Sequence, residues 1–312
     1  MADQARLESV CSLVLPWVRI PLSPPYRIFS GDMTELITTR AKIGLALGSG
    51  AAKGIAHIGV IKALNEANIP IDYIAGTSMG ALVGACYAVN EELAVLEEMA
   101  LASNLRKLTQ LLDPKFTFIR IGLFYGSRVE NYLKPLIGDI DIKNCKIPFA
   151  AVAADIKTGA EVVLNEGPLM KAVRASISIP VVLVPVNYNG VYLVDGGVIN
   201  PVPADIVRSM GATFTIAVNV LNDPQRRRHL GLTGSKKSDK APSLMNAMVQ
   251  SLYIMEYEIV RSSILKADIL IEPDVSNIEP YEFYRGADAI AAGYKAAQAV
   301  MPEIKKLLGN GT

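Results

Sequence analysis

Apolar residues crowd Ile43–Leu47 as a short buried strand, and Ile55, Ile58, Ile61 and Leu64 then recur at helical intervals. Between them lies a run of small residues, Gly48-Ser49-Gly50-Ala51-Ala52-Lys53-Gly54, so the local order is strand, loop, helix. The order repeats at once. Residues 71–75 are mostly apolar, Gly76-Thr77-Ser78-Met79-Gly80 reads as one sharp turn, and residues 81–89 carry an apolar helical pattern. Two such units in succession predict a parallel sheet opened by a βαβα start.

Residues 92–103 continue in helical style. Residues 105–141 then lose strand periodicity while collecting Phe116, Phe118, Leu123, Phe124 and Tyr125. They read as an insertion that could cover a site for an apolar substrate, or equally pack on the core. Within it, Ser127-Arg128-Val129-Glu130 has capping-box spacing and predicts a short helix through Leu133. Residues 147–153 and 160–164 follow as strands and Leu169–Ser176 as a helix. Residues 177–194 are broken by Pro180, Pro185, Asn187, Asn189 and Gly190, so they read as two strands and a turn, not a membrane span. The second of these strands ends at Asp195-Gly196-Gly197. A helix over residues 201–210, a strand over 213–220, a long helix over 243–265, a strand at Ile269–Ile271 and an alanine-rich helix over 284–301 complete the pattern. One stretch breaks it: residues 224–242 set Arg226, Arg227, Arg228, Lys236, Lys237 and Lys240 among Gly, Ser and Asp, and predict a mobile basic loop.

A chain of 312 residues can bury one large α/β core. Residues 1–38 stand apart, with Pro16, Pro21, Pro24 and Pro25 crowding a short apolar run. They read as a poorly structured or non-native N-terminal extension, with Met33 as an alternative start, ahead of a folded domain over residues 39–312. The near-neutral charge balance acts mainly by exclusion. Thirty-one basic residues against thirty acidic ones leave no global field for nucleic acid, so no nucleic-acid partner is expected. The basic loop adds a peripheral contact with an anionic membrane as a minor expectation. Cys11, Cys86 and Cys145 form neither a disulfide framework nor a metal-ligand pattern, which fits a cytoplasmic protein, and Cys86 reads as a buried small residue. Nothing in the sequence sets an oligomeric state.

Ser78 carries the chemistry. In a strand-turn-helix setting, Gly-x-Ser-x-Gly puts its hydroxyl at the tip of a strained elbow beside a helix amino terminus, while Gly76 and Gly80 let strand and helix cross closely. A Gly-rich turn with a capping serine is the plainer alternative. A serine nucleophile needs a base, and the chain has two histidines. His229 lies in the basic loop, where hydrogen-bond geometry cannot be held, and His57, between Ala56 and Ile58, reads as a packed structural residue. Asp195 is the better partner, since a carboxylate ending a strand stands at the sheet edge where α/β active sites gather. An Asx turn ahead of Gly196-Gly197 remains open for it. The Gly48 to Gly54 loop could present the amides of Gly50, Ala51 and Ala52 to an oxyanion, with Lys53 steadying it. It is no P-loop, because Gly54 and Ile55 follow Lys53, and its glycine spacing is wrong for a dinucleotide.

Taken in order, Gly48 to Gly54, Ala56-His57-Ile58-Gly59-Val60, Gly76 to Gly80, Ala175-Ser176 with Pro180, and Asp195-Gly196-Gly197 resemble the bacterial patatin-like phospholipases. The resemblance runs from about residue 42 to residue 220, and residues 284–293 are similar to that family's closing helix. It implies a three-layer α/β/α sandwich with a mostly parallel central sheet. It also implies a Ser-Asp dyad with Ser78 as nucleophile and Asp195 as base, and an oxyanion hole at Gly50, Ala51 and Ala52. Gly48, Lys53, Gly54, His57, Gly76, Gly80, Gly196 and Gly197 would support them. The implied reaction is hydrolysis of fatty-acyl esters of phospholipids, lysophospholipids or neutral lipids, with no metal and no cofactor. Where the family carries Gly or Arg this chain has Ser49 and Lys53, and Lys53 keeps the charge but not the planar donor fork. Two other readings stay open: an esterase, thioesterase or peptidase on the same elbow, and a non-catalytic, membrane-associated regulatory protein of the same fold.

Overall fold

Eight strands build one sheet in the computed structural model, which describes residues 40–102, 126–221 and 244–309. The expected N-terminal extension, the aromatic part of the cover insertion, the basic loop and His229 lie outside the described residues. The strands are β1 (Ile43–Leu47), β2 (Tyr73–Thr77), β3 (Phe149–Asp155), β4 (Glu161–Leu164), β5 (Val186–Tyr188), β6 (Val191–Asp195), β7 (Phe214–Val218) and β8 (Ile269–Ile271). Their order is β5-β6-β3-β2-β1-β7-β8, with β4 also paired to β3. β3, β2, β1, β7 and β8 run parallel to one another, whereas β4 and β6 pair antiparallel with β3 and β5 pairs antiparallel with β6.

The helices are α1 (Ala56–Glu66), α2 (Met79–Asn90), α3 (Ala94–Leu101), α4 (Ser127–Ile137), α5 (Leu169–Ser176), α6 (Ala204–Ser209), α7 (Leu244–Ser263) and α8 (Gly286–Gly309). Strand periodicity of two sorts side chains to opposite faces. Ile43, Leu45 and Leu47 pack with α1, α2, α5 and α8 on one face, while Ala46, Ala75, Ala150, Val152 and Ala217 pack with α6 and Val260 of α7 on the other. Both faces are therefore covered, which gives the α/β/α sandwich its three layers and explains the near-continuous apolar runs of the central strands.

Several boundaries differ from the sequence expectation, and three of them have a clear physical reason. β2 runs two residues further, because Gly76 and Thr77 still pair with Ala151 and Val152 of β3. α4 is preceded by Gly126 at φ 84°, so Ser127 opens the helix instead of capping it, and burial of Leu136 and Ile137 carries the helix past Leu133. α8 continues through Pro302 to Gly309, anchored by the fully buried Ile304 beyond the proline. Among the described residues no helix is long and apolar enough to cross a membrane.

The sheet register brings distant segments together. Thr77 of β2 pairs with Val152 and Asp195 of β6 with the adjoining Ala153, so β3 sets the end of β6 beside the end of β2. The loop after β1 opens at the same edge, because Leu47 pairs with Gly76.

Candidate active site

Ser78 occupies the turn between β2 and α2 with φ 55° and ψ −121°, a region that costs a non-glycine residue of order 1–3 kcal/mol. Close packing over-determines that conformation. A Cβ on Gly76 would lie 2.5 Å from Ala81 N, and one on Gly80 would overlap Leu47 O. Neighbouring bonds fix the elbow further: Ser78 N–H donates to Ser176 Oγ at 2.9 Å, and Ser176 Oγ donates to Val152 O at 2.6 Å. Thr77 Oγ1 donates to Asn200 O at 2.8 Å.

The hydroxyl so placed donates to Asp195 Oδ2 at 2.6 Å. The other carboxyl oxygen, Oδ1, accepts from Gly197 N–H at 2.8 Å, while Asp195 N–H donates to Ser178 O at 3.0 Å. Both Ser78 and Asp195 are buried, at 3% and 2% exposure. Burial pushes the Asp195 carboxyl well above the usual Asp range, with the Ser78 hydroxyl and the Gly197 amide pulling back. Gly196 keeps the strap close, since its Cβ would meet Val152 O.

The loop after β1 folds into a 3-10 turn, Ala51–Ile55, that leads into α1. It packs directly on the elbow: a Cβ on Gly54 would lie 2.5 Å from Met79 Cγ, next in chain to Ser78. Gly48 and Ser49 use their amides on Val218 O and Pro201 O, at 3.1 and 2.8 Å, and the buried Lys53 donates its amide to Gly50 O at 3.0 Å. Ala52 departs from expectation. Its N–H donates to Pro280 O at 3.1 Å and is not free for an oxyanion, because the chain returns over the loop just before α8. The N–H groups of Gly50 and Ala51 have no acceptor among the described residues.

His57 has a structural place. Its Nε2 lies 2.7 Å from Gly48 O, which makes Nε2 the protonated nitrogen of a neutral ring tying α1 to the base of the loop. Burial lowers its pKa from 6.5 to about 4, against the bond to Gly48. Below 6.5 the unfolded chain takes up a proton that the folded chain refuses, so this group removes stability as pH falls towards 4. The shift corresponds to about 3 kcal/mol. His57→Gln is expected to flatten that dependence, read as urea midpoints at about pH 7 and about pH 5. Cys86, as expected, is buried, and burial pushes its thiol up to about 12.

The family model described as "Patatin-like phospholipase" matches residues 45–208, more than half of the chain. The chain belongs to the patatin-like phospholipase family. An "Uncharacterized NTE family protein" of Mycobacterium tuberculosis is 39% identical over 179 residues, covering 57% of this chain and 49% of that protein. The human "Patatin-like phospholipase domain-containing protein 6" is 38% identical over 188 residues, 59% of this chain and 14% of that protein. This patatin-like chain therefore spans about half the length of its mycobacterial relatives, and its relatives are animal as well as bacterial. Among solved structures, VipD from Legionella pneumophila aligns at a TM-score of 0.47 and 13% identity, over 85% of this chain and 67% of that chain.

Two residues at the patatin-like site escaped the sequence reading. Ser176 stood in a motif without a role, yet it binds the elbow amide. Glu256 of α7 is 7% exposed and accepts from Ser49 Oγ at 3.0 Å. A signal for it existed, since Glu256 falls at helical spacing with Tyr253 and the buried Val260, where an apolar residue belongs.

Proposed function

We propose that this chain is a serine acyl hydrolase that cleaves fatty-acyl esters of phospholipids or lysophospholipids through Ser78 and Asp195. The observation that carries this reading is the buried 2.6 Å bond from Ser78 Oγ to Asp195 Oδ2, beside a loop whose Gly50 and Ala51 amides have no acceptor among the described residues. Ser78 Oγ attacks the ester carbonyl carbon while Asp195 takes the hydroxyl proton. The tetrahedral oxyanion is met by the Gly50 and Ala51 amides, each worth about 3 kcal/mol in the transition state. Asp195 returns its proton to the departing alcohol, leaving acyl-Ser78. Water then attacks the acyl group, Asp195 takes its proton, and the fatty acid leaves as Ser78 regains a hydrogen.

A lipid substrate is supported by family membership and by the phospholipase wording in the names of the animal relatives. Peripheral contact with an anionic membrane and a cytoplasmic location belong to the same proposal. So does a patatin-like domain over residues 39–312 that follows a separate N-terminal extension.

A fluorophosphonate ester tests the reading, because it phosphonylates activated serine hydroxyls and leaves ordinary ones largely untouched. Intact-mass and peptide spectra are expected to place one adduct on Ser78 and none on Ser78→Ala protein. A folded wild-type chain that takes up no label, or takes it elsewhere, overturns the proposal. Asp195 must be ionised to act as base, so labelling is expected to fall on acidification in the range to which burial has raised its carboxyl, well above the ordinary Asp value of 3.8.

A further inference from the structure

Glu256 takes no part in those steps, yet it is a second buried carboxyl at the same site. Its Oε2 accepts from Ser49 Oγ at 3.0 Å, which ties it to the residue between Gly48 and Gly50 of the loop. Its Oε1 fills the space beside Gly197, lying 2.6 Å from where a Cβ on that glycine would stand. Gly197 is the residue whose N–H holds Asp195 Oδ1 at 2.8 Å. One carboxyl thus touches both the candidate oxyanion loop and the strap that fixes the base. Among the described residues no lysine or arginine pairs with it.

Two carboxylates buried in one site, neither ion-paired with a lysine or arginine among the described residues, cannot both ionise cheaply, and one of them retains a proton. Asp195 has to give up its proton in order to receive that of Ser78. We propose that Glu256 is a positioning residue that joins the oxyanion loop to the Asp195 strap while protonated, and that its ionisation turns the site off by setting a second negative charge beside the developing oxyanion. The proposal rests on the hydrolase reading above.

The groups around Glu256 agree with it. Burial and the charge of Asp195 both raise the Glu256 carboxyl above its ordinary value, while the Ser49 hydroxyl opposes them. Asp195 faces it from the end of β6 and Ser49 from the loop after β1. Tyr253, one turn earlier on α7, is driven upward by burial and by both carboxyls, so its phenol stays neutral and supplies no compensating charge.

The test is the pH profile of kcat/KM on a fatty-acyl ester for wild type, Glu256→Gln and Ser49→Ala. Wild type is expected to lose activity on the alkaline side by about tenfold per pH unit beyond the Glu256 step. Glu256→Gln is expected to lose that limb while keeping the acid limb, with KM within about twofold and kcat lowered by up to about tenfold. Ser49→Ala removes a bond that favours the ionised form, so its alkaline limb is expected to move to higher pH. A uniform loss at every pH in Glu256→Gln, with the alkaline limb intact, overturns the proposal. A second readout needs no activity and no foldable Gln variant: carboxyl carbon-13 NMR of the full chain labelled at glutamate. A Glu256 resonance that titrates above neutrality, and moves down in Asp195→Asn, supports the proposal; one that titrates near the ordinary Glu value of 4.5 overturns it. Failure of the hydrolase reading looks different, since wild type would then be no faster than Ser78→Ala.

Discussion

Ser78→Ala is expected to lower kcat/KM on fatty-acyl esters by about 10⁴-fold or more, to the level left by binding and the loop amides. The magnitude follows from the chemistry proposed for the elbow. Without Oγ no acyl-enzyme forms, and a water would have to reach the ester carbonyl from a position that the buried Ser78 occupies, with Asp195 still present as base. A short-chain nitrophenyl ester and a phospholipid in mixed micelles give the two rates to compare. Wild-type turnover in a folded Ser78→Ala protein would remove the basis for a serine mechanism. The same position offers a control that separates strain from chemistry. Ser78→Gly and Ser78→Ala both lack the hydroxyl, but only glycine relaxes at φ 55° and ψ −121°, so the glycine variant is expected to be more stable by about 1 kcal/mol.

Much of the fold was legible because both sheet faces are covered. Ile43–Leu47 and Ile269–Ile271 fall where the apolar pattern places them, since burial on both faces leaves little choice of residue, and Leu169–Ser176 falls where its helical spacing places it. The pairing of Ser78 with Asp195, 117 residues apart, was legible for a related reason: Ser78 directly follows one strand and Asp195 ends another, each with a glycine within two residues where backbones pass closely. What stayed hidden depends on contacts that no local pattern encodes. Capture of the Ala52 amide by Pro280 needs the chain to return over the loop from beyond β8. The helix through Pro302 needs the buried site that receives Ile304. Glu256 interrupts an apolar helix face at a place where the loop after β1 and the strap after β6 happen to converge, and neither segment is near it in sequence.

Asp195→Asn is expected to reduce kcat by about 10³-fold while making the protein more stable at neutral pH. Asparagine keeps the shape and leaves an oxygen to accept from Gly197 N–H, so the strap after β6 has what it needs. It cannot take the Ser78 proton, and the amide end turned towards Oγ offers a donor where the mechanism requires an acceptor. The stability gain has a definite sign. Burial holds the folded-state Asp195 carboxyl above its ordinary value of 3.8, so from that value upward the folded chain binds more proton than the unfolded chain. Stability from this group therefore falls as pH rises towards neutrality, and the neutral asparagine escapes that fall. Thermal melts of wild type and Asp195→Asn are expected to converge near pH 4 and to separate progressively at higher pH, the variant melting higher. A variant that melts lower at every pH would mean that Asp195 holds the strap by its charge; one that retains wild-type kcat would mean that the Ser78 proton goes elsewhere. Loss of turnover together with a gain in stability is the signature of a carboxylate kept in an unfavourable place for its chemistry.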